Sequence, residues 1–197
     1  MNLDSILSEL NSLNGLDAVK ADVLQLVNFL QVQNLRESKG LKSVPISRHL
    51  VFFGNPGTGK TTVARLLAKI YKNLGIISKG HLIETDRSGL VAGYVGQTAL
   101  KVKEIVSNAL GGVLFIDEAY ALLREREDYG QEAIDTLIKL IEDHRDDLIV
   151  IVAGYTEPMQ KFLSSNPGLR SRFNKYFLFD DFLPNQLTEI FYSFCSQ

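Results

Sequence analysis

The chain has 197 residues, enough for one domain or for one domain and part of another. Apolar residues form 45% of it and charged residues 22%, the balance of an ordinary globular protein with a sizeable core. The net charge of −2 gives no electrostatic basis for binding nucleic acid or an anionic membrane, and a single cysteine, Cys195, excludes an internal disulfide.

The N-terminal segment has apolar residues near helical spacing, which predicts a short amphipathic helix over residues 3–13. Such a helix either packs on the domain or docks a partner, and we treat residues 1–14 as a separate segment. Asn14-Gly15 breaks the pattern. Asp17 is then expected to cap a second helix, which fades near Ser38-Lys39-Gly40 into a loop ending around Pro45.

From residue 50 onward, short apolar runs alternate with amphipathic segments. The runs that predict strands are residues 50–53, 81–85, 113–116, 148–153 and 176–179. Helical spacing follows the first, second, third and fourth runs, and Pro184 opens a final helix. This alternation predicts an α/β fold of three layers, in which a five-stranded parallel sheet lies between two layers of helices (α-β-α).

A glycine-rich segment between the first strand and its helix carries the pattern G-x-x-x-x-G-K-[ST], met by Gly54-Asn55-Pro56-Gly57-Thr58-Gly59-Lys60-Thr61. Glycines let the backbone curl so that several N–H groups point at one phosphate, and the following helix adds its N-terminal partial charge. Lys60 should reach the β- and γ-phosphates of ATP, and the Thr61 hydroxyl should ligate Mg²⁺. The alternative is a glycine-rich turn that binds no nucleotide.

An acidic pair, Asp117-Glu118, directly follows the third apolar strand. Taken alone, such a pair is more often a helix cap. Because it follows the P-loop by some fifty residues, we expect Asp117 to hold Mg²⁺ through water and Glu118 to polarise the attacking water.

Four segments together resemble an AAA+ ATPase, and more narrowly the CbxX/CfqX group, which includes the red-type rubisco activase and stage V sporulation protein K. They are residues 54–62, residues 111–120, Ala153-Gly154-Tyr155 and residues 166–173. The resemblance covers roughly residues 14 to 190. It implies the AAA+ P-loop large subdomain over residues 15–183, and a homo-hexameric ring with ATP sites between subunits.

The resemblance also implies roles for individual residues. Arg172, with Arg170 as second choice, matches the position of an arginine finger; the alternative for either is a local ion pair. Gly15 and Leu16 match the segment that cradles adenine. Tyr155 or Thr156 stands where relatives carry a polar sensor. The expected nucleotide-binding set is therefore Gly15, Leu16, Asn55, Pro56, Gly57, Thr58, Gly59, Lys60, Thr61, Thr62 and Tyr155.

Gly93-Tyr94-Val95-Gly96 resembles the loop that lines the central pore of threading AAA+ machines, in which Tyr94 grips a polypeptide and Val95 and Gly96 complete the loop. The alternative is that Tyr94 packs on its own domain. Residues 124–129 are a candidate second pore loop, or an ordinary exposed segment.

The C-terminal part departs from the resemblance, because AAA+ modules continue into a helical lid and only residues 184–197 remain for its start. We therefore expect a lid that is mostly absent and feeble ATPase activity in this chain alone.

Two functions fit these residues. The first is a ring-shaped motor that remodels a protein substrate through its pore loop; the second is a nucleotide-gated assembly module that threads nothing.

The N-terminus carries Asp4 and Glu9 without a basic cluster, so it does not resemble a signal peptide. We expect a cytoplasmic protein without membrane insertion, nucleic-acid partner or zinc site.

Overall fold

The computed structural model describes residues 2–41, 47–94, 96–123 and 129–195. Its centre is a sheet of five parallel strands in the order β2-β3-β4-β1-β5. The strands are β1 (Leu50–Gly54), β2 (Leu82–Thr85), β3 (Val113–Ile116), β4 (Ile149–Gly154) and β5 (Lys175–Phe179). The predicted parallel five-stranded sheet is confirmed.

Helices cover both faces of this sheet. They are α1 (Leu3–Asn11), α2 (Asp17–Ser38), α3 (Lys60–Asn73), α4 (Arg87–Leu90), α5 (Gln97–Ala109), the 3-10 helix Ala119–Leu123, α6 (Tyr129–Asp143), α7 (Thr156–Ser164), α8 (Pro167–Arg172) and α9 (Pro184–Cys195). The three-layer α-β-α arrangement predicted from the alternation is therefore confirmed.

Alternate side chains of each central strand enter two different cores. In β3, Val113 and Phe115 belong to the core beneath α1, α2 and α3, whereas Leu114 and Ile116 belong to the core beneath α5, α6 and α7. All four are buried. A strand that buries both faces must be apolar throughout, which is why these strands read as continuous apolar runs.

The start of α2 differs from the prediction that Asp17 caps it. Leu16 occupies the cap position with a left-handed backbone (φ 62°), and Asp17 is the first helical residue. No side-chain hydrogen bond caps this helix; the bend at Gly15 and Leu16 sets its start instead. The predicted cap is therefore wrong.

Helix α1 packs on the domain, which is the simpler of the two readings of residues 3–13. Ile6 and Leu10 are buried in the core beneath α3. Lys69 of α3 pairs with Glu9 at 2.9 Å. Among the described residues, no helix combines the length and apolarity that crossing a membrane requires.

The parallel strands give the sheet two chemically different edges. We call the edge at which β1 to β5 end the carboxyl edge, and the edge at which they begin the amino edge. Leu50 lies opposite Lys175 and Gly54 opposite Phe179, so β1 and β5 start and finish together. In such sheets ligands bind outside the carboxyl ends of the strands.

Candidate active site

The P-loop leaves the carboxyl edge at Gly54 and leads directly into α3. A Cβ built on Gly54 (φ 152°) would lie 2.4 Å from the Phe179 carbonyl oxygen, so only glycine lets the chain pass so close to β5. Gly57 and Gly59 also have positive φ, 76° and 89°, and Gly59 sits at the cap position of α3. These glycines allow the loop to turn tightly at the start of the helix.

Lys60 is folded into its own loop. Its ammonium group donates to the carbonyl oxygens of Gly54 (3.0 Å) and Asn55 (2.6 Å), and the residue is only 7% exposed. Burial lowers the pKa of Lys60, while the nearby carboxylates of Asp117 and Asp181 act in the opposite direction. The loop itself is braced by the Thr58 hydroxyl, which donates to Asn55 O at 2.8 Å.

The donor set of this loop fits a phosphate group. Among the described residues, the backbone N–H groups of residues 57–59 donate to no other backbone or side-chain acceptor. Unpaired N–H groups at a helix N-terminus, beside an ammonium group, are the arrangement that binds phosphate oxygens. Pro56 and Thr62 flank the same loop and are exposed.

The arrangement also suits a hydrated Mg²⁺. Half-buried Thr61 and exposed Asp117 line one cavity of about 460 Å³, together with residues at the end of β2. A hydroxyl and a carboxylate facing an open cavity are the ligands that Mg²⁺ takes when it keeps several of its waters.

Glu118 has an unusual backbone. Its φ is +47°, the left-handed region that a residue with a long side chain seldom adopts. Its N–H donates to Asp117 Oδ1 at 3.0 Å, and Asp117 N in turn donates to Thr85 O at 2.9 Å. Both carboxylates remain exposed at the carboxyl edge, so they are available to ligands.

The predicted adenine segment lies against the P-loop. A Cβ on Gly59 would be 3.4 Å from Leu16 Cδ1, and a Cβ on Gly15 would be 3.0 Å from the Gln186 side chain. Gly15 and Leu16 therefore lie between the P-loop and the start of α9. Tyr155 stands at the cap position of α7, 38% exposed, and Thr156 begins that helix.

Arg172 lies at the other edge of the sheet. It ends α8, three residues before Lys175 opens β5, so the length of β1, about 13 Å at ~3.3 Å per residue, separates it from its own P-loop. Its guanidinium pairs with Glu142 at 2.9 Å, and its Nε is buried without a partner. Arg170 is exposed on the same helix.

The predicted pore loop is only partly within the described residues. Tyr94 is 74% exposed, so its ring is not packed into its own domain as the alternative held. Gly96 has φ 78° at the cap of α5. Val95 and residues 124–128 of the candidate second loop lie outside the described part of the chain.

Sequence reasoning missed three residues of this region. Asp181 accepts two hydrogen bonds from the Asn55 side chain, both at 2.9 Å. Asp86, at the end of β2, lines the cavity beside Asp117 and a second cavity beside Glu118. Tyr120 contacts Tyr155, with ring centroids 6.1 Å apart. One feature of the sequence could have indicated Asp86 and Asp181, because acidic residues follow β2 and β5 as well as β3.

A parallel sheet with a P-loop at its carboxyl edge and an acidic pair at the end of a nearby strand defines a P-loop NTPase domain. Comparison with known proteins narrows this class. The pattern of the "ATPase family associated with various cellular activities (AAA)" matches residues 50–181. The chain belongs to this family of ATPases.

Two relatives lie in the group that the sequence motifs indicated. Stage V sporulation protein K of Bacillus subtilis is 47% identical over 189 residues, covering 95% of this chain and 59% of that protein. The chloroplastic ribulose bisphosphate carboxylase/oxygenase activase of Cyanidioschyzon merolae is 47% identical over 191 residues, covering 95% and 65%. The chain thus spans about three fifths of these relatives, and the CbxX/CfqX resemblance is confirmed.

A solved structure agrees with the fold. The AAA domain of FIGL-1, crystallised in complex with ADP, matches with a TM-score of 0.63 at 20% identity, over 98% of this chain and 67% of that one. At this identity the match supports the architecture alone.

Proposed function

We propose that this chain is the ATP-binding and ATP-hydrolysing module of a ring-forming protein that remodels a protein substrate. The observation that carries the proposal is the joint placement of the Lys60 loop, Thr61, Asp117 and Glu118 at the carboxyl edge. The loop N–H groups and Lys60 would hold the phosphates of ATP, and Mg²⁺, held by Thr61 and through water by Asp117, would neutralise charge on them.

In the proposed reaction, a water oxygen bonds to the γ-phosphorus as the bond to the β–γ bridging oxygen breaks. ADP leaves with that electron pair, and the proton released from water passes to the Glu118 carboxylate or to the phosphate formed. Glu118 is exposed and directly follows Asp117, so its carboxylate is free to contact this water.

Arg172 supports assembly into a ring. It cannot act on the ATP of its own subunit, because it lies at the amino edge. A second copy that places its P-loop against this edge would receive the Arg172 guanidinium at its γ-phosphate. The Arg172–Glu142 pair is the local alternative, and Arg172 would have to leave Glu142 to reach the nucleotide.

The remodelling part of the proposal rests on Tyr94 and on the relatives. A tyrosine that is 74% exposed between glycines offers a large amphipathic surface for gripping an unfolded polypeptide. The relative from Cyanidioschyzon merolae is named as an activase of another enzyme, which is consistent with a protein substrate here.

Glu118→Gln tests the catalytic assignment. It keeps the size and the polar contacts of the side chain but removes the base, so we expect ATP affinity to stay within about twofold and hydrolysis to fall by at least about a hundredfold. Glu104→Gln, an exposed glutamate of α5, is the matched control and should hydrolyse ATP normally. Wild-type turnover in Glu118→Gln would refute the assignment.

Tyr94→Ala separates a threading motor from a nucleotide-gated assembly module. If the loop grips substrate, the variant retains basal ATPase activity and loses substrate remodelling. Tyr176→Ala, which removes another exposed tyrosine, controls for loss of aromatic surface. Unchanged remodelling by Tyr94→Ala would favour the assembly module.

A further inference from the structure

Arg87 begins α4, just after the end of β2. Its side chain reaches the 3-10 helix Ala119–Leu123, which directly follows Glu118. There its Nη1 donates to Ala121 O at 2.9 Å and to Leu122 O at 3.4 Å. The last carbonyl groups of a helix lack an N–H partner within that helix, so a guanidinium is a suitable donor for them. Arg87 therefore connects the segment after β2 to the segment after Glu118.

The packing around this contact leaves the Arg87 side chain little freedom. Ala121 and Leu122 are buried, and Arg87 itself is half-buried. Gly130, in the first turn of α6, lies against the same place. A Cβ built on Gly130 would lie 3.1 Å from Arg87 Nη1 and would overlap the Leu122 carbonyl oxygen. The guanidinium is thus enclosed between the 3-10 helix and the start of α6.

The chain that runs from Arg87 to Tyr94 is held by Lys101 of α5. The Lys101 ammonium group donates to Ser88 O at 2.5 Å and to Val91 O at 3.2 Å. These carbonyl oxygens belong to α4 and to the residue that follows it. One ammonium group therefore fixes the position of α4 relative to α5.

The residue after Val91 is bound to α5 as well. Ala92 N donates at 3.1 Å to Oγ1 of Thr98, which is fully buried. Tyr94 lies two residues beyond this hydrogen bond and is 74% exposed. Because the chain is bound to α5 up to Ala92, a force on the Tyr94 side chain is transmitted to α4 and hence to Arg87.

We infer that Arg87 is a positioning residue that couples the Tyr94 loop to the nucleotide site, because it fixes α4 to the 3-10 helix that follows Glu118. This inference rests on the proposed roles of Glu118 and Tyr94. A cavity of about 410 Å³ lies between the two segments, with Arg87, Gly93 and Glu118 among its lining residues. Since this space is open, a displacement of the 3-10 helix reaches α4 through the Arg87 side chain.

A fluorescent reporter at residue 94 tests the inference. The chain has no tryptophan, so Tyr94→Trp introduces a single one. We expect its emission to differ between the protein bound to ADP and the protein bound to AMP-PNP, an ATP analogue that is not hydrolysed. Arg87→Met removes the guanidinium and keeps an apolar stem. It should reduce this difference at least about threefold while the affinity for both nucleotides stays within about twofold.

Arg145→Met is the matched control, because it removes a guanidinium that pairs with Glu142 at 2.9 Å, beyond the far end of α6. It should keep the full difference in emission. An undiminished difference in Arg87→Met, an equal reduction in Arg145→Met, or no difference while Arg87 is present overturns the inference. If the wild-type chain binds neither nucleotide, the proposed function fails instead.

Lys101→Met gives a second approach that leaves Arg87 in place. It releases α4 and Val91 from α5, so the Tyr94 loop no longer follows Arg87. We expect the nucleotide-dependent difference in emission to fall as it does in Arg87→Met, with nucleotide affinity retained. A full difference in Lys101→Met contradicts the connection from Arg87 to the loop. If Arg87→Met does not fold, Lys101→Met decides the question.

Discussion

The two edges of the sheet differ in whether their polar groups are paired within the domain. At the carboxyl edge, Asp117 and Glu118 are exposed and the N–H groups of residues 57–59 have no acceptor among the described residues. At the amino edge, His49 is 4% exposed with Nδ1 accepting from Val150 N at 3.0 Å, and Arg172 is paired with Glu142. The polar groups of the carboxyl edge are available to an external ligand, whereas those of the amino edge mostly bond to one another.

This difference fits the proposal that the domain carries two unlike halves of one site. In this proposal, the carboxyl edge supplies the contacts to phosphate, metal and water. The amino edge would offer the Arg172 guanidinium to the nucleotide of a neighbouring subunit. Variants at the two edges test whether the two halves are divided in this way.

Arg172→Ala should have the largest effect. If Arg172 completes the site of a neighbouring subunit, ATP binding is unchanged and hydrolysis by the assembled protein falls about a thousandfold, the lower range for an arginine finger. Arg170→Ala, on the same helix, serves for comparison and should have a smaller effect. The measurement is steady-state ATPase activity alongside nucleotide titration.

Mixing variants gives a direct test of the same division. Arg172→Ala supplies intact Glu118, and Glu118→Gln supplies intact Arg172, so mixed assemblies contain complete interfaces. We expect the mixture to hydrolyse ATP faster than either variant alone. A mixture no faster than its parts would mean that Arg172 does not act between subunits.

His49 should make the amino edge sensitive to acid. Burial lowers the pKa of His49 from 6.5 to about 4, with smaller contributions from the positive charges of Arg172 and Arg48. The negative charge of Glu142 acts in the opposite direction. Below pH 6.5, His49 takes up a proton in the unfolded chain but not in the folded protein. Its contribution to the free energy of unfolding is therefore fully present above pH 6.5 and is lost as the pH falls toward 4. The expected loss is about 3 kcal/mol.

His49→Gln removes this titration, so its free energy of unfolding should depend less on pH between 7 and 4, as measured by urea denaturation. His144→Gln, in the half-buried turn after α6, is the control for the loss of a histidine elsewhere in the chain. Identical pH slopes for wild type and His49→Gln would show that the pKa of His49 is the same in the folded and the unfolded protein.

Glu142→Gln should have the smallest effect. Glu142 is 49% exposed and pairs with both Arg172 and Arg145, so losing the charge should lower the free energy of unfolding by less than about 1 kcal/mol. Glu157→Gln, from a more exposed pair with Lys161, provides the reference. A loss of several kcal/mol for Glu142→Gln that persists in an Arg145→Ala background would mean that Arg172 is held too firmly to serve a neighbouring subunit.

The carboxyl edge was largely predictable because its features are local in sequence. Residues 113–116 form β3 as predicted, since a strand buried on both faces must be apolar. Lys60 lies six residues from Gly54, so one short pattern contains the loop, the ammonium group and the helix start. The alternation of strands and helices was sufficient to predict the layers.

The contacts that were missed join residues far apart in the chain. Asn55 and Asp181 are 126 residues apart, and His49 and Val150 are 101 apart. Each pair meets only because of the strand order β2-β3-β4-β1-β5, which apolar runs do not encode. Helices α4 and α8 were missed because four and six residues are too short to show a helical period.

The left-handed backbone at Glu118 has a consequence for how this position tolerates change. For a residue other than glycine or asparagine, this conformation costs about 1–2 kcal/mol, so Glu118→Asn would relax the chain while removing the carboxylate that we propose acts on water. A screen that rewards thermal stability alone would thus favour loss of this glutamate. Its retention would have to come from selection for turnover, against the preference of the fold.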